Sequence, residues 1–372
     1  MQSLDNNAQA FLALVRAGLW EKEVQLSLFE NIDCLRIYQL AQEQALHGLA
    51  LVGIDHSDVK PPKELLLQWI GEVQQIEHRN VAMNHFIGEH ADKMMKVGIN
   101  TLLVKGQGIA QCYDKPLWRT CGDIDLLLDE NNYHKAVIYF NAVASTVGNE
   151  VKERLHYDCQ VGLWTVELHG TLHGGLFQAM DDCLDDVQSE MFEKQLFRTW
   201  KNGGTDIFLP APNADVIFVF THILQHFSQG GIGLRQICDL CRLLWTYRKE
   251  LDGSLLEARL KRMKLVRVWK TFGALMHNYL GLPLEAIPLY DDRKVFVDKA
   301  DKVMRFILKT GNFGHNIDTS YAHRYPFLLR KIRSFFRETG DIIEQTLIFP
   351  GYGVNVWGRM VVNGARSVMR LG

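Results

Sequence analysis

Apolar residues recur at helical spacing over roughly the first hundred positions and at strand spacing over the next seventy or so, and this change of period divides the chain. Leu12, Leu14, Val15, Leu19 and Trp20, then Leu35, Leu40, Ala45 and Leu49, step as the buried faces of helices do. Ser57 to Pro62 breaks the pattern with two prolines. A helix is predicted from Lys63 through the region of Met94, with Gly98 ending it. Ile99 to Val104 is short, apolar and partly β-branched, so it predicts a buried strand. Lys105-Gly106-Gln107-Gly108 follows, then a short helix over Ile109 to Tyr113. Asp123 to Leu128 predicts a second strand and Glu130 to Val147 a helix. Val151 to Val161 and Leu163 to His169 predict a hairpin turning near Gly162.

Lys201 to Asp215 carries Gly203, Gly204, Pro210 and Pro212 and predicts a break, with Asn213 capping the next helix. Helical spacing then returns, and 349–372 is basic and mildly amphipathic, which predicts a surface helix. The fold class expected is α+β. A small mixed sheet over 98–205 is flanked by helical regions over 1–97 and 206–372.

Composition narrows the function without naming it. Of 372 residues, 47% are hydrophobic and 23% charged, enough apolar surface for a large core. The net charge of -2 leaves no broad electrostatic footprint for nucleic acid. No run of about 18 apolar residues suggests a membrane helix. The start lacks the basic-then-apolar pattern of a secretory signal. Seven scattered cysteines suit reduced thiols, so a cytoplasmic protein is expected. Cys238 and Cys241 form one C-x-x-C and are expected to be buried helix residues.

The chemistry concentrates at Gly122-Asp123-Ile124-Asp125-Leu126. In a strand Asp123 and Asp125 share one face, about 6 to 7 Å apart, while Ile124 and Leu126 face the core. Their repulsion calls for a positive partner, and a hard divalent cation supplies one. Trp164-Thr-Val-Glu-Leu-His169 alternates in the same way, with Thr165, Glu167 and His169 on one face. Were the two strands neighbours, three carboxylates would converge, suiting two magnesium ions roughly 3.5 to 4 Å apart. For the aspartate pair alone, a strand end meeting solvent is an equal reading. Glycines at a helix start, as in Lys105 to Gly108, let backbone amides approach phosphate, which favours the metal reading.

The stretch LLVKGQGIAQCYDKPLWRTCGDIDLLLDE, followed by VELHGTLH, resembles the bacterial family described as uncharacterised nucleotidyltransferase, within the DNA polymerase β-like superfamily. Lys105-Gly106, Arg119 with Gly122-Asp123-x-Asp125, and Glu167-Leu168-His169 carry the resemblance. His222, His226 and Leu234 to Leu240 resemble its helical part. The resemblance implies triphosphate binding at Gly106 and Gly108, and Mg2+ or Mn2+ at Asp123, Asp125 and Glu167. The superfamily's Gly-Ser or Gly-Gly is here Gly106-Gln107-Gly108.

Lys105 and Arg119 are candidate phosphate ligands beside the carboxylates, or else their salt-bridge partners. His169 is a candidate on the acceptor side. His169 with His173, and His222 with His226, have H-x-x-x-H spacing, but no third ligand is evident, so zinc is not expected. Arg235 and Asp239 predict a local helix pair, and Asp181, Asp182, Asp185 and Asp186 a solvated face. The function expected is transfer of a nucleoside monophosphate from a nucleoside triphosphate, with pyrophosphate released. The acceptor is a small molecule, a protein or tRNA. The alternative is an inactive nucleotide- or partner-binding protein of the same fold.

Overall fold

The computed structural model describes residues 4–229, 231–312, 346–351 and 353. The first four helices are α1 (Asn6–Trp20), α2 (Cys34–Glu43), α3 (His47–Asp55) and α4 (Lys63–Lys96). Asp5 caps α1 by accepting from the Ala8 amide, and Asp33 caps α2 from the Leu35 amide. Helix α4 begins after Pro62 and stops before Gly98, whose φ of +73° turns the chain.

The sheet region comprises β1 (Leu102–Val104), α5 (Gly106–Ala110), β2 (Asp123–Leu127), α6 (Glu130–Val143), β3 (Thr146–Val151), β4 (His156–Val161) and β5 (Trp164–His169). The five strands lie in the order β1-β2-β5-β4-β3. Only β2 and β5 run parallel; the other neighbours are antiparallel. One face carries Ile124, Leu126, Val166, Leu168, Tyr157 and Cys159 into a core with Met83 and Ile87 of α4 and Phe140 of α6. The other face carries Asp123, Asp125, Thr165 and Glu167, and beside them Leu102, Val104 and Leu127 enter the larger core built by the helices.

Several local expectations change. The strand expected over Val151 to Val161 is shorter: Val151 ends β3, Lys152–Arg154 makes a 3-10 turn, and only His156–Val161 forms β4. Helix α6 ends at Val143, not Val147, because Thr146 to Val151 forms the edge strand β3. The β-branched Thr146 and Val147 extend once the Ser145 amide donates to Gln160 O. Helix α5 starts at Gly106, before the position expected. The glycine- and proline-rich segment is no plain break: β6 (Phe197–Asn202) and β7 (Thr205–Pro210) pair antiparallel across Gly203 and Gly204.

The remaining helices are α7 (Gln178–Glu193), α8 (Pro212–Gln229), α9 (Leu234–Tyr247), α10 (Gly253–Arg262), α11 (Val266–Leu280) and α12 (Lys294–Thr310). Asn213 lies inside α8, and its side chain accepts from the Asp252 amide instead of capping. Phe220 of α8 meets Trp269 and Phe272 of α11 edge-on, at 4.9 and 5.7 Å between ring centres. Cys238 and Cys241 are buried free thiols on α9, as their apolar setting predicts. On α7, Asp182, Asp185 and Asp186 are exposed, but Asp181 is buried and accepts from the Gly175 amide. The architecture is α+β, a small mixed sheet flanked by helices. Among the described residues no helix is long and apolar enough to cross a membrane. The amphipathic segment expected within 349–372 lies outside the described residues apart from 349–351 and 353.

Candidate active site

Parallel pairing of β2 with β5 sets Asp125 opposite Glu167 and Asp123 opposite Thr165. Strand alternation puts all four on the face opposite Ile124, Leu126, Val166 and Leu168. Asp123, Asp125 and Glu167 each offer a carboxylate oxygen, and these three atoms lie within 4.8 Å of one another. Asp125 is buried and the other two are partly so.

Lys105 supplies a positive charge there. Val104 ends β1 opposite Asp125. A regular next residue would point to the other face, but Lys105 adopts φ +56° and turns back. Its Nζ sits 2.5 Å from Asp125 Oδ1 and 5.7 Å above the Phe218 ring of α8. His169 Nε2 lies 2.9 Å from the same Oδ1. Burial pushes Asp125 upward, but Lys105 and His169 outweigh it and hold its pKa well below the carboxylate range. Burial opposes the Lys105 charge, but Asp125 outweighs it and raises the lysine. Asp123 has the opposite fate. The charge of Asp125, then burial, lift it to about 6, with Lys105 only partly offsetting them. Glu167 is lowered, first by the His156 imidazole, against burial and Asp125. Burial lowers His169, so its imidazole is neutral near pH 7.

The glycine turn is only partly open to this site. Gly106 has φ +37°, and a Cβ there would stand 3.2 Å from Cys121 Sγ. Lys105 and Gly106 line the cavity in front of the carboxylates; Gln107 and Gly108 do not. Gln107 is buried and donates to Asn80 of α4 at 2.8 Å. A Cβ on Gly108 would meet Leu209 of β7 at 3.0 Å, so that glycine serves close packing.

Arg119 lines the cavity too, but its guanidinium is engaged. Its Nε and Nη2 donate to the two oxygens of Asp239 at 2.7 and 2.6 Å, and the Tyr113 hydroxyl donates to Asp239 at 2.8 Å. Asp239 therefore pairs across 120 residues rather than with Arg235 by hydrogen bond. Arg235 instead donates to Thr120 O at 2.7 Å.

The cavity measures about 330 Å³. The carboxylates and Lys105 form one side, and His222 and His226 of α8 come from another element. The two imidazole Nε2 atoms are 3.0 Å apart. Burial pushes both pKa values down, that of His226 to about 4, so both rings are neutral near pH 7. His173 turns to Asp185 at 2.6 Å, so it does not join His169. His169 instead meets His156, its register partner on β4. Sequence reasoning missed His156. The signal was present, because a hairpin closed between Val161 and Trp164 necessarily pairs 156 with 169.

A family model described as uncharacterised nucleotidyltransferase matches residues 30–281, more than half of the chain. No curated protein and no solved structure matches.

Proposed function

On the premise that the chain belongs to the uncharacterised nucleotidyltransferase family, we propose that it transfers a nucleoside monophosphate from a nucleoside triphosphate to an acceptor, using divalent metal ions. The observation that carries this reading is the excess of carboxylate on one face. Three carboxylates stand around a single lysine ammonium, and Asp123 is held near a pKa of 6 by its neighbour's charge. An oxygen-only ligand set of this kind fits Mg2+ or Mn2+.

Asp123 and Asp125 would hold both ions and Glu167 the one nearest the acceptor. Bound there, the ions supply Lewis-acid stabilisation of the attacking and leaving oxygens. The acceptor oxygen forms a bond to the α-phosphorus while the bond to the β-phosphate oxygen breaks and pyrophosphate leaves. The acceptor proton passes to Glu167 or to water. Lys105 would release Asp125 to the ions and turn to the phosphates, with the Gly106 amide beside it. His169 orients Asp125 and faces the acceptor side. Arg119 can reach phosphate only by opening its pair with Asp239; while that pair is closed, its role is to brace the loop before β2. Gln107 and Gly108 contribute backbone alone. We assign the chemistry to 98–205, walled by the described helices of 1–97 and of 206–312, α8 among the latter bringing His222 and His226 to the cavity.

The engaged Arg119 and the two inward-packed positions Gln107 and Gly108 favour a second reading, a nucleotide-binding protein without turnover. Incubation with each triphosphate, magnesium and pools of tRNA, protein and small-molecule acceptors separates the two. Nucleotidyl transfer predicts an added nucleoside monophosphate by mass spectrometry. It is overturned if Asp123→Asn with Asp125→Asn transfers as well as the unaltered chain. Binding without any mass shift supports the second reading.

A further inference from the structure

We infer that His156, His169 and Glu167 form a separate, nitrogen-rich site for a zinc-class ion beside the carboxylate trio. The site rests on the proposed function only in sharing Glu167 with it.

The geometry starts from the β4–β5 hairpin. His156 and His169 are direct cross-strand partners, and Glu167 lies two residues before His169 on the same face. Their imidazole rings stand 4.9 Å apart, inclined at 60° to each other, beside one carboxylate. His156 Nε2 is 3.5 Å from Glu167 Oε2, and His169 Nε2 is 3.6 Å from the same atom. Charge-assisted hydrogen bonds close to about 2.7–2.9 Å, so these contacts are too long to be good ones. They match atoms that share a third atom between them. Ligands at about 2.0–2.2 Å from a tetrahedral zinc ion stand roughly 3.3–3.6 Å from each other. One ligand atom from each of the three residues already lies within 4.8 Å of the others, so closure needs only small side-chain shifts.

Donor chemistry separates this site from its neighbour. Imidazole suits zinc, cobalt and nickel, whereas magnesium takes oxygen and keeps its water. The two clusters would therefore sort two kinds of ion across one shared carboxylate. On binding, the neutral His169 ring carries its proton on Nδ1 instead of Nε2, exchanged through solvent, and gives up its bond to Asp125 Oδ1, which leaves Asp125 to Lys105 and to the neighbouring ion. Three protein ligands leave a fourth position open, the pattern of catalytic rather than structural zinc. All three residues line the 330 Å³ cavity, so water or an acceptor oxygen would fill that position.

The test is a Co2+ titration of the full chain under saturating Mg2+, read by visible absorption. We expect one Co2+ per chain with the intense bands of a low-coordinate nitrogen site. His156→Ala and His156→Asn should each weaken that binding by more than about 10- to 100-fold, the loss typical of removing a mere supporting contact to a metal ligand. Both variants should keep magnesium-dependent triphosphate binding, which also reports that they fold. Asp123→Asn should do the reverse, keeping the cobalt bands. If no triphosphate binds under any condition, the nucleotidyl-transfer reading fails while the cobalt result stands. Cobalt uptake unchanged in both His156 variants overturns the inference. So does uptake lost only in His222→Ala with His226→Ala, or no uptake at all under excess magnesium.

Discussion

Two clusters of buried charge line the same cavity, and their balance differs. Arg119 and Asp239 meet one to one, with two short hydrogen bonds and Tyr113 adding a third to the carboxylate. The trio around Asp125 sets three carboxylates against one lysine in contact, with Arg235 acting on Asp123 from farther off and a neutral histidine beside them. A closed pair of this kind fixes a loop against a helix and has no use for a further ion. An unbalanced one stores repulsion, visible in the raised pKa of Asp123, which a cation relieves. On the proposed function, the first cluster serves stability and the second chemistry.

The sharpest way to break that assignment is Asp123→Asn. Loss of a metal ligand removes several kcal/mol of transition-state stabilisation, so transfer should fall on the order of 10³-fold. The same change removes a repelled charge, so the metal-free protein should become more stable at pH 7, by on the order of 1–3 kcal/mol in denaturant titration with chelator. A variant that lost stability as well as activity would make Asp123 structural. Arg119→Met tests the other cluster. It leaves the Asp239 carboxylate buried with one hydrogen bond, from Tyr113, and only the more distant charge of Arg235, and unfolding free energy should drop by about 3–5 kcal/mol. If stability holds and triphosphate binding is lost instead, Arg119 is a phosphate ligand after all. The smallest effect is the dependence on pH. Magnesium must displace the proton from Asp123, so its affinity should fall about tenfold per pH unit below about 6, measured by calorimetry. Without metal the sign reverses. Between about 4 and 6 the folded chain holds a proton that the unfolded chain has lost. Asp123 thus favours folding below that window and ceases to as pH rises through it. Asp123→Asn should lack both trends.

Much of the site was legible because strand alternation is a strict rule. Once 123–127 and 164–169 are strands, the faces of Asp123, Asp125 and Glu167 follow. What alternation leaves open is strand order. The lateral pairing of β2 with β5 is set by packing across α6, β3 and β4 and has no local mark. Edge strand β3 escaped notice because it follows directly on a helix, and its Val147 is 57% exposed, so no apolar alternation marks it. Hairpin β6–β7 was masked by the glycines and proline that form its turn and end. Arg235 lies one helical turn from Asp239, so the local pair looked natural, whereas Arg119 reaches the same carboxylate only through the tertiary fold. His156 was derivable from hairpin register, but the H-x-x-x-H spacing drew attention toward helices.

The most direct test of the central claim is isothermal titration calorimetry of the full chain with each nucleoside triphosphate. Runs with magnesium, with manganese and with chelator are compared, and repeated on Asp123→Asn with Asp125→Asn. Metal-dependent nucleotidyl transfer predicts triphosphate binding that appears only with a divalent metal and disappears in the double variant. Equal binding in chelator, or in the double variant with magnesium, would contradict it.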